Sequence, residues 1–298
     1  MTSHDRPAYH EDADLFRDAL SFTQSETGFS TRLIEKDYYC SLLLEDSLAG
    51  SVPGLAFKGG TSLSKVHAVF YRLSEDLDFG ISTPADAPRS QRRKRVAALK
   101  AHLAGIGKRS PCFQVVDPLR GYNNSTQYGG RVSYRSLLTG QDDFIKLEVS
   151  VREPIIEPTD ELPARTLLMD PFRRVPALDS IPVAALSCRE AYAEKLRAAL
   201  TRRDPAVRDF YDVDHAFRTG HIQPKDDRLI DLVRRKLAIP GNEPIDVSEE
   251  KLENLRKQVD VQLKPVLRES DFAEFNIDHA LEIVRRFAEP LLPKKRHP

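Results

Sequence analysis

Phe57-Lys-Gly-Gly-Thr-Ser-Leu-Ser-Lys-Val-His-Ala-Val-Phe-Tyr-Arg-Leu-Ser-Glu-Asp-Leu-Asp-Phe79 is the stretch on which the reading of this 298-residue chain turns. A short apolar run ends at Gly59 and Gly60, and a helical pattern opens at Thr61. Fourteen residues beyond Ser62 come Asp76 and Asp78, two apart in a segment, 75–82, that reads as a strand. Strand side chains alternate faces, so both carboxylates are predicted to point one way and Glu75 and Leu77 the other. Paired glycines let the backbone turn sharply and let a ligand approach its amides. The helix start that follows offers unsatisfied N–H groups to a phosphate, Ser62 adds a hydroxyl, and Lys65 either reaches a phosphate or faces solvent. Phosphoryl-type transfer with divalent cations needs carboxylates that hold the metal, and Mg²⁺ prefers such hard oxygen ligands. Each half is weak alone. The bend lacks the Gly-Lys-Ser/Thr ending of a P-loop, and an isolated Asp-x-Asp reads as a solvated strand edge. At this separation, in this order, they predict a site for metal-dependent nucleotidyl transfer.

Working outward, residues 11–26 and a stretch opening at Ser30 or Thr31, with Ile34, Tyr38 and Leu42 on one face, read as helices. Leu55 to Phe57 reads as a short strand, Thr61 to Phe70 as a helix and Arg89 to Ile106 as another. Strands are expected at 112–117, 126–136 and 143–152, with shorter ones near 165–169 and 183–186. From Cys188 the pattern turns helical, at 188–203, 206–219, 226–238, 248–264 and 277–289. Pro205, Pro240 and Pro265 fall between these segments, where proline does least harm. Residues 1–10 read as frayed and the tail from Pro293 as disordered. Helices, then a mixed sheet, then helices argue for α+β, with residues 1–186 and 187–298 as the two expected domains.

The bulk numbers narrow the class. The 45 basic and 45 acidic residues cancel, so any nucleic-acid binding must come from a local basic patch. No run of 18 apolar residues occurs, and the polar start Met1-Thr-Ser-His-Asp carries no apolar leader, so a cytoplasmic protein without a membrane span is expected. Cys40, Cys112 and Cys188 are far apart and read as buried free thiols. His67 either approaches a phosphate or packs.

Two further segments carry candidate chemistry. Phe144 to Arg152 reads as a strand with Lys146 and Glu148 on one face. Glu148 is the candidate third metal-binding carboxylate, or else the partner of Arg131 or Arg152 in a salt bridge. Lys195 lies in the mostly apolar frame of Ala191, Tyr192, Ala198 and Ala199, where a lysine can neutralise a triphosphate. Asp209 and Asp212, three apart, share a helix face. Asp212 either holds Lys195 or positions the ribose or base, and a salt-bridged surface is the plainer reading of the whole set.

Ile34-Glu-Lys-Asp-Tyr, Phe57-Lys-Gly-Gly-Thr-Ser-Leu, Arg72-Leu-Ser-Glu-Asp-Leu-Asp-Phe, and Glu194-Lys-Leu with Arg208-Asp-Phe-Tyr-Asp together resemble the AbiEii/AbiGii-like nucleotidyltransferase toxins of abortive-infection and type IV toxin–antitoxin systems, to which the mycobacterial MenT toxins belong. The resemblance implies a polymerase-β-like core and a helical C-terminal lobe. It places the family's serine and aspartates on Ser74, Asp76 and Asp78, its glycine turn on Gly59, Gly60, Thr61 and Ser62, its lysine on Lys195 and its last aspartate on Asp212. No clear motif of the family falls on Glu148. The implied activity is transfer of a nucleotide from an NTP, with Mg²⁺ or Mn²⁺, to an RNA acceptor, the 3′ end of tRNA in mycobacterial relatives, which blocks translation. An antitoxin encoded nearby is the implied partner. Arg92, Arg93, Lys94, Arg95, Arg202 and Arg203 are the candidate acceptor-binding patch, against the plainer reading of solvated faces. Nucleotidylation or phosphorylation of a protein hydroxyl, or nucleotide binding without turnover, are the competing functions.

Overall fold

Strand β1 (Leu55–Lys58) runs through a seven-stranded mixed sheet in this computed structural model, which describes residues 8–49 and 52–292. The other strands are β2 (Leu77–Ile81), β3 (Phe113–Tyr122), β4 (Gln127–Arg135), β5 (Asp142–Ser150), β6 (Asp160–Ala164) and β7 (Ile181–Ala185). Their order is β3-β4-β5-β2-β1-β7-β6. β2 pairs antiparallel with β1 and parallel with β5, and β7 pairs parallel with β1, so the sheet is mixed and the class is α+β as expected. Two compact units divide the chain, Met1–Leu186 and Ser187–Pro298.

The first unit holds the sheet with helices α1 (Ala13–Thr27), α2 (Thr31–Ala49), α3 (Gly59–Ser62), α4 (Arg89–Ala104) and α5 (Ile106–Arg109). Asp12 caps α1 by accepting from the amides of Asp14 and Leu15, and Gly28, left-handed at φ 76°, ends it. The alternation of β5 is as predicted: Ile145, Leu147 and Val149 are buried, while Lys146 and Glu148 face away. The second unit is helical, with α6 (Cys188–Thr201), α7 (Val207–Arg218), α8 (Asp227–Leu237), α9 (Glu249–Arg256), α10 (Glu269–Glu274) and α11 (Ile277–Ala288). No helix among the described residues is long and apolar enough to cross a membrane.

Several boundaries differ from expectation. Tyr9 to Glu11 form a 3-10 turn with Tyr9 buried, rather than fraying, while residues 1–7 and the predicted tail 293–298 lie outside the described residues. The strand expected at 165–169 is instead β6, upstream. β6 is an edge strand, which tolerates Pro163. The helix expected over 248–264 stops at Arg256 and resumes as a π turn, Val259–Leu263. Cys40 is buried, whereas Cys112 and Cys188 are only half-buried.

Three consecutive charged residues of α2 are buried, and each ties a different segment. Glu35 accepts from the Leu137 amide at 2.8 Å and the Ser136 hydroxyl at 2.7 Å. Lys36 Nζ lies 2.9 Å from Asp143 Oδ1. Asp37 Oδ1 lies 2.6 Å from Lys65 Nζ, and its Oδ2 accepts from the Leu167 amide at 2.8 Å. Buried charges persist only when paired and hydrogen-bonded. Ile34-Glu-Lys-Asp-Tyr is therefore a clamp that holds the β4–β5 turn, the segment after α3 and residues 166–167 to one helix.

Candidate active site

The glycine bend and the aspartates meet. Lys58 is extended and Gly59 is left-handed at φ 75°, a conformation that disfavours any side chain. A Cβ on Gly59 would overlap the Asp78 carboxylate, lying 2.7 Å from its Cβ and 2.8 Å from its Cγ. A Cβ on Gly60 would come 2.7 Å from Arg72 Nη2 and 3.0 Å from Ser74 Oγ. The Thr61 hydroxyl donates to the backbone carbonyl of Asp76. Glycine is required here because the start of α3 is pressed directly onto the 72–78 segment.

β2 begins at Leu77, so Asp76 lies in the bend before the strand rather than within it. The division of faces survives. Leu77 and Phe79 are wholly buried, and Asp76 and Asp78 are half-buried. Ladder partners share a face, and Asp78 is flanked by Lys58 on β1 and Glu148 on β5.

Glu148 thus stands on the face of Asp78. Its carboxylate is engaged by Lys146, with the Tyr122 hydroxyl at 3.5 Å. Among the described residues, no group of three or more His, Cys, Asp or Glu side chains is arranged to hold a metal ion. Arg131 pairs with Asp117 and Arg152 with Glu153, so neither alternative partner for Glu148 is used. The bond to Glu148 holds the Lys146 ammonium above its ordinary pKa, and the charge of Asp76 adds to it. Burial and then Glu148 raise the Tyr122 phenol. Asp76, Asp78, Lys146, Glu148 and Tyr122 are therefore one electrostatic neighbourhood.

The candidate phosphate contacts Ser62, Lys65 and His67 all turn elsewhere. After α3 the chain forms a π turn, Leu63–His67, rather than continuing as α-helix to Phe70. This carries Lys65 inward, where its side chain is fully buried on Asp37 and the Ser41 hydroxyl, the latter at 2.8 Å. Ser62 is also buried, its hydroxyl 3.5 Å from the Phe57 carbonyl. His67 packs, with Nε2 3.1 Å from the Leu186 carbonyl. Val69 and Phe70 then take positive φ, 44° and 54°. That conformation is unfavourable for a β-branched residue and reverses the chain toward Arg72. Buried Arg72, whose Nη1 donates to the Leu73 carbonyl at 3.0 Å, supports the bend from beneath; the sequence carried no signal for this.

In the helical unit, Lys195 Nζ sits 2.9 Å from Asp209 Oδ1 and 2.9 Å from Asp212 Oδ2. Asp212 is wholly buried, and Asp209 also accepts from Arg202 at 3.0 Å. The three-residue spacing does place both acids on one face of α7, and Asp212 does hold the lysine. Nearby on α7, burial draws the His215 imidazole down to about 4, with Arg218 adding to the shift.

The basic patches fare unevenly. Arg92 is buried and donates to the Ala85 carbonyl at 2.9 Å, so it is no surface contact. Arg95 is half-buried, and only Arg93 and Lys94 of that run are exposed, because the core-facing turns of α4 take every third or fourth position. Arg202 and Arg203 are neutralised in part by Asp209 and Glu243.

A mixed sheet whose glycine bend is fitted to paired aspartates, in a chain with these motifs, is the core of a nucleotidyltransferase. The family described as nucleotidyl transferase AbiEii toxin, type IV toxin–antitoxin system, matches residues 42–287, and the chain belongs to that family. The stretch 34–38 lies upstream of the match. Among solved structures, the chain is similar to a candidate nucleotidyltransferase from H. pylori, at 13% identity and a TM-score of 0.48 over 84% of this chain and 92% of that one. It is similar also to JHP933 from Helicobacter pylori, at 13% identity and a TM-score of 0.47 over 86% and 91%. No curated protein matches the chain.

Proposed function

We propose that this toxin-family nucleotidyltransferase moves a nucleotide from an NTP to an RNA acceptor, the 3′ end of tRNA, and so inhibits translation. We assign the reaction centre to the domain 1–186 and a supporting role to the helical domain 187–298. The observation that carries the reading is the fit of Gly59 and Thr61 against Asp78 and Asp76. Two half-buried carboxylates beside a bend free of side chains suit Mg²⁺, which takes one or two protein carboxylates and fills its remaining positions with phosphates and water. Asp76 and Asp78 would hold the ion, Mg²⁺ or Mn²⁺, which supplies charge stabilisation for the phosphates and for the attacking oxygen when bound.

The amides at Gly60 and Thr61 bind the β and γ phosphates, and Ser74, beside Gly60, adds a hydroxyl. The acceptor's 3′-hydroxyl oxygen forms a bond to the α-phosphorus, the bond from that phosphorus to the β-phosphate bridging oxygen breaks, and pyrophosphate leaves. The hydroxyl proton passes to water. In the helical domain, Lys195 is fixed by Asp209 and Asp212. A cognate antitoxin encoded nearby is the expected partner.

The test is incubation with each radiolabelled NTP, total tRNA and cell lysate. Label is expected in tRNA, dependent on divalent metal and lost in Asp78→Ala. Label in protein would instead favour a protein hydroxyl as acceptor, and NTP binding with no labelled product would remove the catalytic reading.

A further inference from the structure

A second candidate site lies on the other face of the same sheet. A cavity of about 580 Å³ opens between α4 and the β3–β4 turn. Arg89, Arg93, Lys94 and Lys100 line it from the helix, Ser125 from the β3–β4 turn and Tyr128 from β4. Tyr128 is the ladder partner of Val149, whereas Glu148 is that of Gly129. Neighbouring strand residues point to opposite faces, so this cavity and the Asp78–Glu148 face are on opposite sides of the sheet. β3 is an edge strand, so the β3–β4 turn is where the two sides meet. Tyr122 starts that turn on the Glu148 side, and Ser125 ends on the other.

Three observations mark this cavity as built for an anionic ligand. First, the chain carries no net charge, yet among the described residues no carboxylate pairs with Arg93, Lys94 or Lys100, and no acid lines the cavity. Second, the Tyr128 hydroxyl is buried without a hydrogen-bond partner, although Tyr128 is only 3% exposed. A buried hydroxyl is nearly always satisfied, so this wall offers a donor to a ligand. Third, the walls are fitted to each other: a Cβ on Gly121 would come 2.9 Å from the Tyr128 ring, and Arg89 Nε donates to Ser125 Oγ at 3.2 Å.

The shape selects among phosphorylated ligands. Arg89, Arg93, Ala97 and Lys100 form one row along α4. At 1.5 Å per residue the row is roughly 16 Å long, with small Ala97 in its middle. A single triphosphate would need its cations converging on one point, whereas a row suits successive phosphates of a strand.

We infer that the α4 row binds the phosphodiester backbone of a nucleic-acid strand on the sheet face opposite the carboxylates, guiding the acceptor round the β3–β4 turn toward them. This deepens the RNA-acceptor reading and rests on it for the identity of the polymer. The test is fluorescence anisotropy with labelled tRNA and with a single-stranded 12-mer RNA, on the full chain, across a salt series. Arg93→Ala/Lys100→Ala keeps helix-forming residues at exposed positions, so the fold is retained. It is expected to weaken both RNAs at least tenfold and to reduce the salt slope by about one and a half, the value for two lost single-strand phosphate contacts. Ala97→Glu, which puts an acid within the row, is expected to weaken binding further, while ATP affinity is unchanged in both variants.

Unaltered RNA affinity and salt slope in both variants would overturn the inference, as would loss of ATP affinity in place of RNA affinity, which would make the cavity a nucleotide site. The two readings fail differently. Label entering protein while the variants still lose RNA affinity removes the acceptor assignment and leaves the groove. Label entering tRNA with RNA affinity intact in the variants removes the groove and leaves the acceptor.

Discussion

Gly59 is the residue on which the reaction centre depends most directly. Its left-handed backbone and its contact with Asp78 both exclude a side chain. Gly59→Ala is expected to lower nucleotide transfer by more than about a hundredfold, because a misplacement of roughly 1 Å at a reacting centre costs that much. The assay is label incorporation beside a thermal melt, and a variant that melts lower yet transfers normally would contradict it. Asp76→Ala and Asp78→Ala are expected to abolish growth arrest on expression in a bacterium. Growth arrest that persists in both would remove the catalytic explanation for toxicity.

At the scale of elements, the buried ion pairs of α2 and α7 are the features to probe. Asp212 is wholly buried against Lys195. Asp212→Ala leaves Lys195 paired with Asp209 and is expected to cost about 1.5–3 kcal/mol in urea unfolding, the loss of one buried hydrogen bond between charged groups. In Asp37→Ala, Lys65 is left buried without its carboxylate, and the expected loss is larger, about 3–5 kcal/mol. Asp37→Ala/Lys65→Met removes both charges and is expected to recover most of that loss, since removing both partners is far less costly than removing one. A double variant no more stable than the single would show that these residues do not act as a pair. The same comparison separates a structural Lys65 from a phosphate-binding one, because the double variant should keep its NTP affinity.

Across the whole molecule, acid sensitivity has an identifiable source. His215 is pulled from 6.5 to about 4 by burial, so the folded chain keeps this ring neutral where the unfolded chain protonates it. Its contribution is fully present above pH 6.5 and is lost as pH falls from 6.5 toward 4. His215→Asn is therefore expected to flatten the fall in melting temperature between pH 7 and pH 4.5 relative to the wild-type chain. An equal fall in both would assign the acid sensitivity to carboxylates instead.

The α+β class, the alternation of β5 and the pairing of Lys195 with Asp212 were legible along the chain because period, spacing and turn residues are local properties. So was the convergence of the glycine bend with Asp76 and Asp78, since the chain returns from the bend to pair β2 antiparallel with β1. What tertiary structure alone decided was the direction of the charged side chains. Lys65 turns inward onto α2 because a π turn, invisible to a 3.6-residue period, rotates it there, and Ser62, in the short α3 before that turn, packs back on β1. Glu148 is taken up by Lys146 on its own strand, and Arg92 is buried while Arg93 is not. Which charge is buried depends on packing partners more than a hundred residues away, as with Glu35 and Leu137, and no local pattern encodes them.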